Sequence, residues 1–374
     1  RLFNRENDFV ELFKVKAEFT SYMKRNEENE LSYAGFIKGL CEKEALLPFT
    51  PSAMARVIDY SSRLCEHQHR LLTYFEPITD LVREASFWAS QNDRSETMGE
   101  DVRQALEEKR LRTNLEEVQS KERIIEGYRF ISTSGKKIGQ INGLSVIEYG
   151  DIEYGFPSRI TVRTYQGEHG IVHIDREIDM TGPIHNKGLL ILTGYLGGMY
   201  AQTRPLTLSA SITFEQSYGG VEGDSASAAE LYAVLSSLGQ IDLKQSIAVT
   251  GSVNQYGQIQ PIGAVNQKIE GFFDVCCSQG LTGEQGVIIP AANRSELMLR
   301  EDVIHAVEAG QFHVWAIEDI EDGIEMLTCV KVAPMDDENE YPEGSFHDLV
   351  MQGLERLDKN RDDDEDNDDD DDDD

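Results

Sequence analysis

The sequence has little of what would mark several common protein classes. No run of 18 or more apolar residues occurs, so no segment reads as a membrane span. No secretory signal precedes the first helical pattern. Aromatic residues make up only 8%. Cysteines number five, Cys41, Cys65, Cys276, Cys277 and Cys329, with no CxxC pair, which points to free thiols in a reducing cytoplasm and away from a zinc knuckle. There is no HExxH. The eight histidines show no metal-ligand spacing except His67-x-His69, read as a solvated pair on a polar helix face. A phosphate-binding P-loop is missing too: in Ser134-Gly135-Lys136-Lys137 a lysine stands where a magnesium-holding Ser or Thr is needed, and Gly127 is too far upstream. Positive charge is scarce. The formal net charge is −33, and residues 358–374 hold thirteen acids against two bases. Such a surface repels phosphates, which excludes nucleic acid and anionic membranes as main partners.

What is present divides into three parts. The chain opens at Arg1 without an initiator methionine and is expected to be a piece of a longer polypeptide. Residues 1–122 read as a helical bundle. Apolar residues recur three and four apart, as at Phe9, Leu12, Phe13 and Lys16-Ala17, and again over 31–47, 52–72, 77–88 and 99–117. Thr50 followed by Pro51 is a helix-start signal, and Pro77 opens another helix. Residues 123–332 change character: glycine becomes frequent, and β-branched residues alternate with polar ones over 143–149, 159–165 and 206–214. Short apolar strands at 247–250 and 287–290 neighbour two helices, 226–238 and 263–277. The fold class is therefore α+β: a helical bundle, then a mixed α/β domain. Residues 333–374 are expected to be an acidic, largely disordered tail with at most a short helix over 346–357.

Two residues could carry chemistry together. Ser225, in GGVEGDSASAAELYAV, stands where the apolar helix starts. It can cap that helix. It can equally be a nucleophile beside unpaired main-chain N–H groups that would hold an oxyanion. A nucleophilic serine needs a base. No histidine has an obvious claim, but Lys268 in GAVNQKIEGFFDVCC projects from the edge of an arc containing Val265 and Phe272. Burial there would disfavour the ammonium and free an amine for general-base work. The alternative is a lysine that snorkels to the surface.

With these residues in view, GVEGDSASAAELYAVLSSL, SIAVTGSVNQYGQIQPIGAVNQKIEG and QGVIIPAANRSELM resemble the proteolytic domain of Lon proteases. The resemblance implies a Ser–Lys dyad with Ser225 as nucleophile and Lys268 as base. It also implies that the hydroxyl of Thr250 hydrogen-bonds the lysine amine. Asp224 and Ala226 flank the serine as in the archaeal-like B branch, so Asp224 is expected to salt-bridge Lys268 in a resting arrangement, with Glu222 a weaker candidate for the same role. LPFTPSAMARVIDYSSRLCEHQHRL and ITDLVREASFWA resemble the small helical lid of an AAA+ module. Near the place of that lid's nucleotide-sensing arginine stand Thr79 and, one turn on, Arg83. No Walker motif lies in the chain, so ATP and magnesium would serve only a longer protein that carries such motifs upstream. The family implies cleavage of unfolded or damaged polypeptides inside a homo-hexameric chamber. Two other readings compete: a catalytically silent assembly or regulatory module, and an esterase of the Gly-Asp-Ser type, which would need a His–Asp pair near the far end of the domain.

Overall fold

The computed structural model describes residues 7–15, 17–149, 152–167, 170–202, 208–337 and 340–368. Lys16 and the last stretch of the aspartate run, 369–374, fall outside them. The chain divides into two compact units, Arg1–Arg112 and Thr113–Asp374. The division comes earlier than residue 122, because the helix over 115–125 belongs with the second unit.

The first unit contains α1 (Asn7–Leu12), α2 (Glu27–Glu44), α3 (Pro51–Leu64), α4 (Glu76–Gln91) and α5 (Gly99–Thr113). Thr50 caps α3 by accepting from Ala53 N, and Pro51 occupies its first position. The apolar stripes of the helices meet in one core around Tyr33, Ile37, Val57, Ile78 and Val82. A two-stranded antiparallel ribbon, β1 (Tyr22–Lys24) with β2 (Arg70–Leu72), was not foreseen. It takes residues that the periodicity gave to the third helix, so α3 stops at Leu64. His67 and His69 consequently stand in the turn ahead of β2 and not on a helix face.

In the second unit, α6 (Leu115–Ile125) leads to a seven-stranded sheet of order β13-β12-β9-β4-β5-β7-β6. Its strands are β4 (Gln140–Tyr149), β5 (Ile152–Tyr165), β6 (Gly170–His173), β7 (Ser209–Phe214), β9 (Ile247–Val249), β12 (Gly286–Pro290) and β13 (His313–Ile317). Short ribbons β3 (Lys136–Ile138) with β8 (Asp242–Lys244), and β10 (Ser252–Val253) with β11 (Ile259–Gln260), complete the strands. Pairing is antiparallel around β5 and parallel from β4 through β9 and β12 to β13.

Side-chain alternation along the strands feeds two cores. Ile288 points into one, while Val287 and Ile289 point into the other. The first core takes α8 (Pro183–Tyr200), α9 (Ser227–Gly239), α12 (Ile320–Thr328) and α13 (Phe346–Asp368), and the second takes α10 (Val265–Gln279) and α11 (Glu301–Glu308). Every α9 residue from Ser227 to Leu238 is buried, which explains why a single charged residue, Glu230, interrupts its small and apolar run. α7 is a single turn, Ile174–Glu177.

Helix α8 was missed by periodicity, because PIHNKGLLILTGYLGGMY is glycine-rich and apolar nearly all round. Its start is set by Pro183 and by the Glu222 carboxylate, which accepts from Ile184 N at 3.1 Å. Two glycines let α10 lie directly on β5. A Cβ on Gly271 would sit 2.0 Å from Gly155 O, and one on Gly155 would sit 2.1 Å from Gln267 O.

The acidic end is more ordered than its composition suggests. α13 runs to Asp368, and its first turns are docked: Phe346 and Val350 are buried in the α9 core. Gly353 lies against Leu238 O, and Tyr200 Oη meets His347 Nδ1 at 2.7 Å. A few apolar anchors suffice to hold a helix whose remainder is charged. Deleting 346–374, or substituting Phe346→Ala, should therefore lower the thermal unfolding midpoint by roughly 6 °C or more, from about 3 kcal/mol of lost burial. Calorimetry on the truncated chain checks this; an unmoved midpoint would mean the helix is not docked.

Candidate active site

Strand β9 stops at Val249, level with Gly143 of β4 and Ile288 of β12, and the site lies beyond its C-terminal end, the usual place for chemistry in such sheets. Two helices reach this edge from opposite faces. α9 brings Ser225 in the turn just before it, and α10 brings Lys268 at the close of its first turn, where Lys268 N bonds to Ala264 O at 3.1 Å. Ser225 does not cap α9: the cap position is Ala226, with no side-chain cap bond. Instead Lys268 Nζ and Ser225 Oγ are 2.9 Å apart. Lys268 is only 3% exposed, so the surface-lysine alternative fails. A neutral amine at this distance can take the hydroxyl proton.

The segment holding Ser225 is gripped from β9 and the strand after it. The Ser225 carbonyl accepts from Gly251 N at 2.8 Å and from the Thr250 hydroxyl at 3.2 Å. Ser227 Oγ accepts from Val253 N at 3.0 Å. The main-chain N–H groups of Asp224, Ser225 and Ala226 find no acceptor among the described residues.

Three expectations need correction. Thr250 is in place and 1% exposed, but its proton goes to the Ser225 carbonyl and not to the lysine amine. Asp224 does not salt-bridge Lys268; its carboxylate accepts from Ser252 Oγ at 2.9 Å, which turns it toward β10. Glu222 is engaged at the start of α8, away from the amine. For the esterase reading, the one Asp-x-x-His spacing is Asp302 to His305 on α11; both are exposed, and Asp302 is paired with Arg300.

The helix that carries Lys268 is braced by residues the sequence did not single out. Asn266 spans Glu296 O (2.8 Å) and Met298 N (2.7 Å), and Glu270 accepts from Arg300 N at 2.8 Å. Asn293 bonds both N and O of Ile262, fixing the turn into α10 (3.1 and 2.8 Å). That turn contains Ala264 at φ 56°, ψ 37°, a left-handed conformation costing an L-residue about 1–2 kcal/mol. Farther along, the Asp274 carboxylate meets Lys121 Nζ at 2.7 Å and Arg300 Nη1 at 3.1 Å. Burial by itself would raise the Asp274 carboxyl, but the two cations overcome it and hold it well below the usual carboxylate range.

In the first unit, the Arg83 guanidinium is clamped by both Glu44 oxygens at 2.8 Å and by Asp80 at 3.1 Å. The groups a phosphate would use are taken.

Among the described residues, the fold also brings together three possible metal ligands, His173, His185 and Glu230, all buried, with ligating atoms within 4.8 Å of one another. They come from three elements, so linear spacing gave no sign of them.

Against known proteins, residues 216–329 match the family described as the Lon protease (S16) C-terminal proteolytic domain, and residues 48–112 match the archaeal LonB AAA+ ATPase LID domain. A Lon protease homolog of Escherichia coli is 41% identical over 249 residues, 66% of this chain and 42% of the relative. One from Haemophilus influenzae is 34% identical over 354 residues, 92% of this chain and 57% of the relative. The archaeal Lon protease of Thermoplasma acidophilum is 28% identical over 298 residues, 77% of this chain and 43% of the relative. The chain thus spans about half the length of these relatives. The second unit thus contains, over residues 216–329, the match to a proteolytic domain. The chain belongs to the Lon protease family, with the LID domain ahead of the proteolytic one.

Two outcomes follow for the bracing. Thr250→Val should lower stability by about 1 kcal/mol through the lost hydrogen bond, read by denaturant unfolding. The Asp274 brace predicts an acid dependence. Its folded carboxyl titrates below the unfolded one, so its contribution is fully present above about pH 4 and is lost as pH falls further. Asp274→Asn should destabilise the protein at neutral pH, and the gap to wild type should shrink in acid.

Proposed function

We propose that this chain is a serine endopeptidase that uses Ser225 as nucleophile and Lys268 as general base. One observation carries the reading: the 2.9 Å contact between Ser225 Oγ and the Nζ of a lysine that is 3% exposed. In the first step, neutral Lys268 accepts the Ser225 proton as Oγ attacks the peptide carbonyl. The oxyanion is met by the N–H groups of Ser225 and Asp224. Lys268 returns the proton to the leaving amine, and the acyl group stays on Oγ. Water then attacks the ester, giving its proton to Lys268, and Ser225 regains a proton as the acid product leaves. Thr250 and Gly251 hold the Ser225 main chain still throughout, and Asp224 serves through Ser252 as a positioning residue.

The substrates we infer are unfolded or damaged polypeptides, cut within the chamber of a homo-hexamer in the cytoplasm. Among the described residues no helix is long and apolar enough to cross a membrane. The charge of −33 argues against nucleic acid and anionic membranes as partners. ATP with magnesium would act only in a longer polypeptide bearing Walker motifs.

Purified chain should cleave unfolded casein and be stopped by a peptide boronate. Ser225→Ala and Lys268→Ala should each reduce cleavage by about 10⁴-fold or more. Full activity in Lys268→Ala overturns the assignment. A wild-type chain that neither cleaves casein nor reacts with the boronate as a hexamer favours the silent assembly module instead.

A further inference from the structure

Behind the turn that carries Ser225 lies a buried triangle of ligand atoms. His173 ends β6, His185 is in the first turn of α8, and Glu230 is in the first turn of α9. His173 Nε2 lies 3.0 Å from Glu230 Oε1, His185 Nε2 lies 3.5 Å from the same oxygen, and the two nitrogens are 3.2 Å apart. Relative exposures are 0%, 1% and 1%.

We propose that these three side chains bind a divalent metal ion of the zinc class. The first argument is geometric. Zinc binds imidazole nitrogen and carboxylate oxygen at about 2.0–2.2 Å in tetrahedral sites, which sets neighbouring ligand atoms about 3.3–3.5 Å apart. One separation, 3.5 Å, matches, and the other two, 3.0 and 3.2 Å, need the ligand atoms to open by only a few tenths of an ångström; all three atoms face one another.

The second argument is proton accounting. His185 Nδ1 faces the Gly223 carbonyl at 3.3 Å, a group that only accepts, so Nδ1 carries the proton and Nε2 presents a lone pair inward. His173 Nδ1 points at Asp175 Oδ2 at 3.5 Å and has no hydrogen-bond partner. Placing the His173 proton on Nε2 would leave a buried lone pair aimed at that carboxylate. Placing it on Nδ1 leaves three inward acceptors with nothing between them, and a proton on each nitrogen serves Asp175 and Glu230 but leaves the His185 lone pair without a donor of its own. A single proton serves one edge of a triangle; a cation at its centre serves all three corners.

The surroundings have the outer shell such sites use. Carboxylate and carbonyl groups oriented at the far nitrogens fix the tautomers. Asp175 is itself held, accepting from Phe214 N at 3.0 Å and Thr213 Oγ1 at 3.1 Å. The Phe214 ring closes the site against both imidazoles, with centroids 5.9 and 5.6 Å away. The three side chains fill three positions of a tetrahedral ion and a water would take the fourth; the tie from His185 to Gly223, two residues before Ser225, gives the ion a bracing role. It would pin α8, β6 and the start of α9 together and hold the Ser225 turn from behind.

Metal analysis of the purified full chain, after dialysis in metal-free buffer, should find about one zinc per chain. Cobalt(II) in its place should give the strong visible bands of tetrahedral cobalt. His173→Ala, His185→Ala and Glu230→Gln should each lose the ion, while Ser225→Ala keeps it, which separates this site from the proposed peptidase chemistry. Since ligand variants can misfold, Asp175→Asn provides a second arm: it leaves the ligands in place and should weaken zinc affinity about 10–100-fold. Stripping wild type with a chelator should lower its unfolding midpoint, and zinc(II) should restore it. A folded wild type that takes up no zinc(II) or cobalt(II), with a midpoint indifferent to both chelator and metal, overturns the proposal and leaves the trio sharing a proton.

Discussion

An alcohol and an amine at hydrogen-bond distance would ordinarily be a weak, solvent-exchanged pair. Here the amine is buried, and that requires the scaffold to hold it with very little freedom. Ser225 and Lys268 arrive on helices that lie on opposite faces of one sheet and meet only where parallel strands end. Neither helix could drift without separating them. The bonds from Gly251 and Thr250 to the Ser225 carbonyl fix one side, and the turn through Ala264 fixes the other.

Much of the rest of the unit can be understood as support for that edge. α10 lies on β5 through a glycine–glycine approach that no side chain could occupy. Its polar residues are spent on neighbouring backbone: Asn266 and Glu270 reach the segment 296–300, and Asp274 ties α6 and Arg300 to the same helix. α9 has the opposite design. It is buried on all sides, so its polar side chains have to be met inside the protein: Ser227 by Val253 N, Tyr232 by Ile320 O, and Glu230 by facing the two histidines.

The charge distribution follows the same logic. A chain with net charge −33 can still fold tightly because its acids are placed where a cation, a helix start or solvent receives them. Glu222 starts α8, Asp319 and Asp322 form the capping box of α12, and Glu44 holds Arg83. Even the acidic end enters the core through Phe346 and Val350 before its charge dominates.

Local pattern was sufficient for much of this. Thr50-Pro51 marked α3, alternation marked β4 and β5, and the apolar run after Ser225 marked α9, because each signal is a short-range property of backbone and side chain. Ser225 and Lys268 were singled out from the first's place before a buried helix and the second's place on an apolar arc, and their side chains stand 2.9 Å apart. The partners of Thr250, Asp224 and Glu222 were not legible. Which acceptor a hydroxyl meets, or which way a carboxylate turns, depends on chain segments far away in sequence. α8 was hidden because its glycines and uniform apolarity blur the helical period, and only its packing against α9 makes it a helix. The His173–His185–Glu230 triangle was beyond any reading of spacing, since β6, α8 and α9 converge only once the sheet has formed. The sequence by itself determined many of the helices and strands and marked two residues whose types could do chemistry together. The tertiary structure decided what those residues touch, because burial and distance are set by long-range packing and not by neighbours along the chain.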